Sequence, residues 1–198
     1  MSGVQLAAEI GASVGETWQT LGERELLRVG RRLRVVEQHI RLPNGLEIHN
    51  YLRFTGTPYV TLVAQIPDGR LICERQYKHG PGRVILTLPA GALEPDEDPL
   101  EGARRELLEE TGYASDSWER LATHFTHANA GGSLSHAFIA RDCRRIVEPN
   151  SGDLEEMTIE LKTFAEILEC LSSGDMPLAS DGAALIQALA ALDSVSRT

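Results

Sequence analysis

The chain has 198 residues, of which 42% are hydrophobic and 24% charged, with a formal net charge of −10. This length supports one domain with a full core, or one domain with a small addition, and the composition is that of a soluble globular protein. The acidic balance argues against broad binding of nucleic acids or anionic membranes, because both usually require a basic surface.

Cysteine usage and the start of the chain indicate the compartment. The three cysteines are odd in number, far apart and without metal-ligand spacing, so we expect free thiols in a reducing environment. The first sixteen residues lack the basic region and continuous apolar stretch of a signal peptide, and they are expected to be frayed. No apolar run reaches the length of a membrane span. The sequence therefore predicts a cytoplasmic protein.

The first part of the chain is rich in strand-forming residues. The pattern of residues 33–42 is β-favouring and ends at a turn, Pro43-Asn44-Gly45. We expect an N-terminal sheet here. The predicted organisation is a β-rich extension at residues 1–45, followed by the main domain at residues 46–198.

The main domain mixes strands and helices. The apolar strand pattern at 59–66 is followed by a Pro67-Asp68-Gly69 turn, which predicts a hairpin with residues 70–78. Further strands are predicted at 83–91, 118–125, 135–143 and 156–164, and helices at 164–174 and 180–193. Ser180 or Asp181 is the expected N-cap of the last helix. Strict βαβ alternation is missing, so we expect an α/β fold with helices packed on a mixed sheet.

The segment GALEPDEDPLEGARRELLEETGY contains a helix with well-marked ends. Asp98 is a good N-cap, Pro99 suits the first helical position, and Glu101 at the third completes a capping-box pattern. Gly112 suits the C-terminal stop. The sequence therefore predicts a helix from Pro99 to Thr111.

Carboxylates share one face of this helix. At about 100° per residue, Glu106, Glu109 and Glu110 fall on one arc beside an apolar stripe, and Gly102 falls within that arc. Two charges about 4 Å apart repel by roughly 4 kcal/mol at an effective dielectric near 20. Exposure to water or binding of a divalent cation would relieve this repulsion, and the spacing alone leaves both open.

The whole segment resembles the signature of the Nudix hydrolases. Gly91 is followed after five residues by Glu97, and after seven more by Arg105-Glu106-Leu107; one residue later come Glu109-Glu110, and after one more Gly112-Tyr113. The stretches RQYK, LTLPAGALE and HAFIARD resemble the ADP-ribose pyrophosphatase branch. The resemblance implies the Nudix fold, a mixed β-sheet sandwiched between α-helices, here with an N-terminal β-rich extension.

The resemblance also implies a metal site for Mg²⁺, or alternatively Mn²⁺. By position, Glu106 and Glu110 would bind the metal directly, and Glu109 would bind it or orient its water. The backbone carbonyl of Ala90 would complete the site. Arg105 and Glu97 would pair and hold the preceding loop onto the helix.

In this branch the general base often comes from a later acidic loop. Residues 153–156 occupy that place, and we prefer Glu156, then Glu155, as the base. An ordinary acidic surface loop is the alternative.

Substrate contacts are implied after the strand at 70–78. Lys78, with Arg75 and Gln76, matches a position where the branch contacts phosphates or ribose, although a solvated lysine is the alternative. His127 is a candidate contact to a phosphate or base. Its neighbours His124 and His136 complete no familiar zinc pattern. Thr87 stands where the branch usually has a base-reading glutamate.

The implied activity is metal-dependent hydrolysis of a nucleoside diphosphate linked to another moiety, most specifically ADP-ribose to AMP and ribose 5-phosphate. The expected partner is thus a small nucleotide derivative. Hydrolysis of another nucleotide sugar, a non-catalytic metabolite sensor and a purely structural acidic helix are the alternatives. Because the branch commonly exchanges an N-terminal sheet across a two-fold dimer, a homodimer is also expected.

Overall fold

The structure, a computed structural model, describes residues 17–150, residue 152 and residues 156–195. The expected fraying of residues 1–16 and the candidate Glu155 lie outside these residues. The strands are β1 (Gln19–Val29), β2 (Leu33–Arg41), β3 (Glu47–Gly56), β4 (Tyr59–Ala64), β5 (Leu71–Lys78), β6 (Arg83–Thr87), β7 (Ala90–Ala92), β8 (Tyr113–Ala114), β9 (Ser117–His127), β10 (Gly131–Arg141), β11 (Arg144–Arg145) and β12 (Met157–Lys162). The helices are α1 (Pro99–Glu106), continued by a π-helical turn (Leu107–Thr111), α2 (Phe164–Ser173) and α3 (Ala179–Val195).

The chain forms two compact units. Among the described residues, unit 1 contains those up to Thr57 together with Phe125–Leu134, and unit 2 contains Pro58–His124 and those from Ser135 onward. This division differs from the predicted boundary after residue 45, because β3 continues the antiparallel pairing with β2 as far as Gly56. The role of residues 1–45 as a separate extension stays a prediction.

Unit 1 contains an antiparallel ribbon in which β2 lies between β1 and β3. The turn between β2 and β3 lies at the predicted position, where Gly45 has a φ of 86° and Asn44 accepts a hydrogen bond from the Leu46 amide. Glycine adopts this left-handed conformation without steric cost. Buried side chains alternate along β2, as expected for a strand with one covered face.

The predicted hairpin between residues 59–66 and 70–78 is wrong. The two segments are joined by the predicted turn, but only Gln65 and Leu71 form a bridge across it. β4 instead pairs with β10 and β7, while β5 pairs with β12 and β6. Each strand therefore finds its partners in a different sheet, and local turn chemistry does not determine which partners it takes.

Unit 2 buries both faces of β4 and of its parallel neighbour β10. Val63 and Ile139 contribute to one core, which also contains residues of α2 and α3. Leu62 and Phe138 contribute to a second core, where Ala103 of α1 is packed. Because successive side chains of a strand point to opposite faces, the two cores cover opposite sides of these strands. The predicted α/β fold with a mixed sheet between helices is confirmed.

The C-terminal helices begin close to their predicted positions. Thr163 caps α2 through a reciprocal capping box with Glu166. α3 begins at Ala179, so Ser180 and Asp181 lie in its first turn. The prediction that one of them is the N-cap is therefore wrong. Asp181 instead accepts a hydrogen bond from the Leu88 amide at 3.2 Å. Among the described residues, no helix has the length and apolar character needed to cross a membrane.

Candidate active site on the acidic helix

The ends of the acidic helix follow from local chemistry. The Asp98 side chain accepts hydrogen bonds from the amides of Leu100 and Glu101, and Pro99 is the first helical residue. Glu101 does not return the capping-box contact, because its carboxylate accepts from Arg104 at 3.0 Å. The predicted extent of the helical segment agrees with the structure.

The last turn of this segment was not predicted. Leu107–Thr111 form a π-helical turn, which ends at Gly112 with a φ of 75°. A side chain at Gly112 would also lie 2.2 Å from the Val147 carbonyl oxygen. π-helical turns are frequent at functional sites. The even rotation assumed from the sequence therefore does not hold through Glu109 and Glu110, although both remain in the helical segment.

Two of the three carboxylates are buried at the Pro-Ala-Gly corner. Glu106 is 8% exposed and Glu110 is 5% exposed, whereas Glu109 is exposed. A Glu110 oxygen accepts a hydrogen bond from the Ala90 amide at 3.0 Å. A Cβ atom on Gly91 would lie 2.0 Å from the Glu106 carboxyl carbon, so a side chain here would displace the carboxylate from its present position.

Arg105 connects the helix to the loop before it. Its guanidinium donates to both Glu97 oxygens at 2.8 and 2.9 Å, so the expected pair is present. It also donates to Glu106 at 2.7 Å and to Glu109 at 3.1 Å. The pKa of Glu97 is lowered, mainly by the hydrogen bonds from Arg105, and the pKa of Arg105 is raised, mainly by Glu97.

The donor set fits a hard divalent cation. Glu106 and Glu110 lie beside the corner that contains Ala90, and Glu109 is one residue from Glu110. Carboxylate and carbonyl oxygens are the ligands that Mg²⁺ prefers. Arg105 contacts Glu97, Glu106 and Glu109, so the negative charges of these carboxylates outnumber its single positive charge. The assignment of these residues as ligands stays a prediction.

A cavity of about 300 Å³ lies in unit 2 next to Ala90. Lys78 and the buried Gln76 line it from β5, and their role as substrate contacts stays a prediction. Gln76 donates to Glu74 at 3.0 Å and to Thr87 at 3.2 Å, which fixes its amide. The cavity thus combines a lysine ammonium group with orienting polar groups.

Arg75 points elsewhere and does not line this cavity. Its guanidinium donates to Glu160 at 2.7 Å and to Asp175 at 2.7 Å. The pKa of Arg75 is raised by these two hydrogen bonds, the one to Asp175 first. Because adjacent strand residues face opposite sides, Arg75 is separated from Gln76 and Lys78, and the structure gives it an ion-pairing role within unit 2.

The position of Asp181 at this cavity was not predicted from the sequence. Asp181 is fully buried, lines the cavity and accepts hydrogen bonds from the Leu88 amide and the Ser180 hydroxyl. Burial raises the pKa of Asp181 to about 7, against smaller opposing effects of Leu88, Ser180 and Lys78. Its position at the start of a helix indicated only a capping role. The contact with Leu88 depends on tertiary structure and could not be inferred from neighbouring residues.

The remaining candidates are dispersed. Glu156 is exposed, and Glu155 lies outside the described residues. His124 contacts Gln187 at 2.7 Å, and the buried His136 contacts Thr123 at 3.1 Å. Within the described part of the chain, these histidines and His127 do not form a common ligand set.

His127 lines a larger cavity of about 670 Å³ in unit 1. Its ring contacts Phe54 edge-on, with 5.5 Å between centroids. Trp18 and Tyr51 form a second edge-to-face pair in the cavity wall, at 5.7 Å. Arg53 also lines the cavity. Aromatic and guanidinium faces of this kind suit a planar heterocycle, a property that only the assembled ribbon reveals.

Comparisons with known proteins show which family the chain resembles. The NUDIX domain model matches residues 57–177. The chain is 27% identical over 147 residues to an ADP-ribose pyrophosphatase of Bacillus subtilis (strain 168), covering 74% of this chain and 75% of that protein. It is 30% identical over 128 residues to a methanol dehydrogenase activator of Bacillus methanolicus, covering 64% and 67% of the two chains.

A solved structure supports the fold. A crystal structure of an ADP compounds hydrolase superposes with a TM-score of 0.77 and 21% sequence identity, covering 94% of this chain and all of the other. At this identity the likeness concerns the fold alone. Since the domain match extends over more than half of the chain and includes the complete acidic signature, the protein belongs to the Nudix hydrolase family.

Proposed function

We propose that the protein is a Mg²⁺-dependent pyrophosphohydrolase that cleaves ADP-ribose to AMP and ribose 5-phosphate. The observation that supports this most directly is the placement of Glu106 and Glu110 against the corner formed by Ala90 and Gly91. A corner at which Gly91 has no side chain, beside buried carboxylates, suits a cation that must also contact a substrate phosphate. Mn²⁺ is the alternative ion.

The proposed ligands are Glu106, Glu109, Glu110 and the Ala90 carbonyl oxygen. A divalent ion held there would neutralise phosphate oxygens and lower the pKa of a bound water. Arg105 keeps Glu97 and the segment before the helix in place, through the paired hydrogen bonds described above. It is a positioning residue in this proposal.

The remaining steps are assigned to other side chains. Lys78 supplies a positive charge to the phosphates from the cavity wall beside Ala90. The attacking water forms a bond to one phosphorus, the bridging P–O bond breaks, and the water proton passes to a carboxylate. We assign that carboxylate to Glu156, with Glu155 as the second choice.

The choice of ADP-ribose is supported by the similarity to the B. subtilis ADP-ribose pyrophosphatase. Thr87 favours a second candidate, another nucleoside-diphosphate sugar, because this side chain offers a hydroxyl where the branch usually has a carboxylate. Purified protein with Mg²⁺ should be screened against ADP-ribose, nucleotide sugars, dinucleoside polyphosphates and NADH in ¹⁸O-labelled water. If another substrate gave the highest kcat/KM, the choice of ADP-ribose would be refuted. If none of these compounds were hydrolysed, the proposed pyrophosphohydrolase activity would be refuted.

Substitution of Glu156 by Gln is expected to lower kcat by roughly a hundredfold or more, which is the scale of general-base catalysis. Glu156 is exposed, so the folded protein should be unaffected. Glu148→Gln is the matched control, because that side chain is 86% exposed and lies earlier in the same acidic region. An unchanged kcat in Glu156→Gln would remove the residue from the mechanism.

We also propose a cytoplasmic homodimer that uses the N-terminal ribbon. The ribbon exposes large apolar side chains, among them Leu26, Leu27 and Leu52. We propose that these side chains contribute to the interface. Light scattering at several protein concentrations should give twice the chain mass. A strictly monomeric species would refute the dimer.

A further inference from the structure

A cluster of imidazole and carboxylate groups lies in unit 1, on elements that do not carry the acidic signature. In the β2–β3 pairing, Gln38 pairs with Tyr51 and the next pair is Ile40 with Ile48. Two residues of β3 therefore oppose His39 of β2, which is a β-bulge. Bulges redirect side chains, and this one places His49 next to His39.

The contacts in this cluster are close. His39 Nε2 lies 2.7 Å from Glu47 Oε2, and the rings of His39 and His49 have centroids 4.0 Å apart with an interplanar angle of 30°. One ligand atom from each residue lies within 4.8 Å of the others. The side chains of His39 and Glu47 are each 32% exposed, and His49 is exposed, so ions in solution can reach them.

The neighbouring residues leave the site open and orient the carboxylate. Gly22 of β1 is the Cα partner of His39, and a Cβ atom there would meet no heavy atom within 4 Å. Space for solvent ligands therefore remains on this face. Arg41 donates to Glu47 Oε1 at 2.7 and 2.9 Å, while Oε2 faces His39. Such outer contacts commonly orient a metal-binding side chain.

The observed distances need only small changes to surround a metal ion. Zinc–nitrogen and zinc–oxygen bonds of about 2.0–2.2 Å place tetrahedral ligand atoms about 3.4 Å apart. The His39–Glu47 contact would lengthen from 2.7 Å and the widest pair would close from at most 4.8 Å. Rotation of the exposed His49 side chain can supply most of this movement.

We propose that His39, Glu47 and His49 form a transition-metal site of the Zn²⁺ class, with solvent as the remaining ligand. Two imidazoles and one carboxylate suit Zn²⁺, whereas Mg²⁺ prefers oxygen ligands alone. The site differs in chemistry from the acidic helix. Because its ligands come from both strands around the bulge, the bound ion would hold the register of β2 and β3.

The test uses the full chain, freed of metal by a chelator and titrated with Zn²⁺ or Co²⁺ in excess Mg²⁺. Magnesium occupies oxygen-rich sites, so binding at the imidazoles is observed separately. We expect one Zn²⁺ retained per chain after desalting, and the intense visible absorption of four-coordinate Co²⁺. His39→Ala, His49→Ala and Glu47→Gln should each weaken binding by more than about 100-fold, since even an outer contact is worth about 10–100-fold.

Two controls make the result specific. His79→Ala removes an exposed histidine outside the cluster and should bind Zn²⁺ as the parent does. Glu106→Gln should leave the Co²⁺ spectrum unchanged, which separates this site from the proposed Mg²⁺ site. Failure of the parent to retain Zn²⁺, or equal binding by parent and His49→Ala with matching circular dichroism, would overturn the proposal. Neither result depends on turnover of a nucleotide.

Discussion

Replacing Glu106 by Gln is expected to lower kcat by roughly a thousandfold or more, the equivalent of losing several kcal/mol of metal-dependent stabilisation in the transition state. An amide is a weaker ligand for Mg²⁺ than a carboxylate. Glu106 is 8% exposed, and its carboxylate lies against the backbone of Gly91. The measurement is AMP formation from ADP-ribose at saturating Mg²⁺.

The matched control is Glu101→Gln on the same helix. Glu101 is 61% exposed in its side chain and pairs only at the surface with Arg104, so kcat should stay near the parent value. Circular dichroism checks that both variants fold. Turnover retained in Glu106→Gln would contradict the ligand assignment. If the parent protein bound ADP-ribose without cleaving it, the alternative of a non-catalytic metabolite sensor would be supported instead.

Asp181 is expected to make unfolding depend strongly on pH. Its pKa is about 7 in the folded protein and near its ordinary value of 3.8 in the unfolded chain. Between these values the folded state holds one more proton, so the free energy of unfolding falls as pH rises. The stabilisation is complete below the lower pKa and is lost through pH 7, by about 4 kcal/mol in total.

Asp181→Asn should remove this pH dependence, because the amide oxygen can still accept from Leu88 and cannot ionise. Urea unfolding of parent and variant should be compared from pH 4 to pH 8. From pH 4 to pH 8 the free energy of unfolding of the parent should fall by about 3–4 kcal/mol relative to that of Asp181→Asn. The exposed Asp116, changed to Asn, is the control. A pH-independent difference between Asp181→Asn and the parent would contradict the assigned protonation of this carboxyl group.

Local chemistry predicted the acidic helix well. Asp98, Pro99 and Gly112 act through backbone groups within one turn, so their effects can be read from neighbouring letters of the sequence. The π-helical turn could not be predicted in this way. It lies where Thr111 donates to the Leu107 carbonyl oxygen, and no simple periodic pattern encodes that contact.

Long-range pairing limited the remaining predictions. The turn at residues 67–69 was correctly placed, yet β4 and β5 take other partners, because strand pairing is decided by burial of whole faces. The cavity beside Ala90 combines Lys78 with Asp181, which are more than a hundred residues apart in the sequence. These two residues line one cavity because α3 packs next to β5. Sequence patterns do not show that packing, so Lys78 was indicated only by the family resemblance.

The close approach of Gly91 to Glu106 has an evolutionary consequence. A side chain at residue 91 and a glutamate at residue 106 would occupy the same volume. A side chain at residue 91 would therefore displace the Glu106 carboxylate from its present place, so the two positions are coupled wherever that carboxylate must stay at the corner. A lineage that acquired even alanine at 91 would have to shorten or relocate the acidic group at 106, and such paired change should be visible among descendants that have abandoned catalysis.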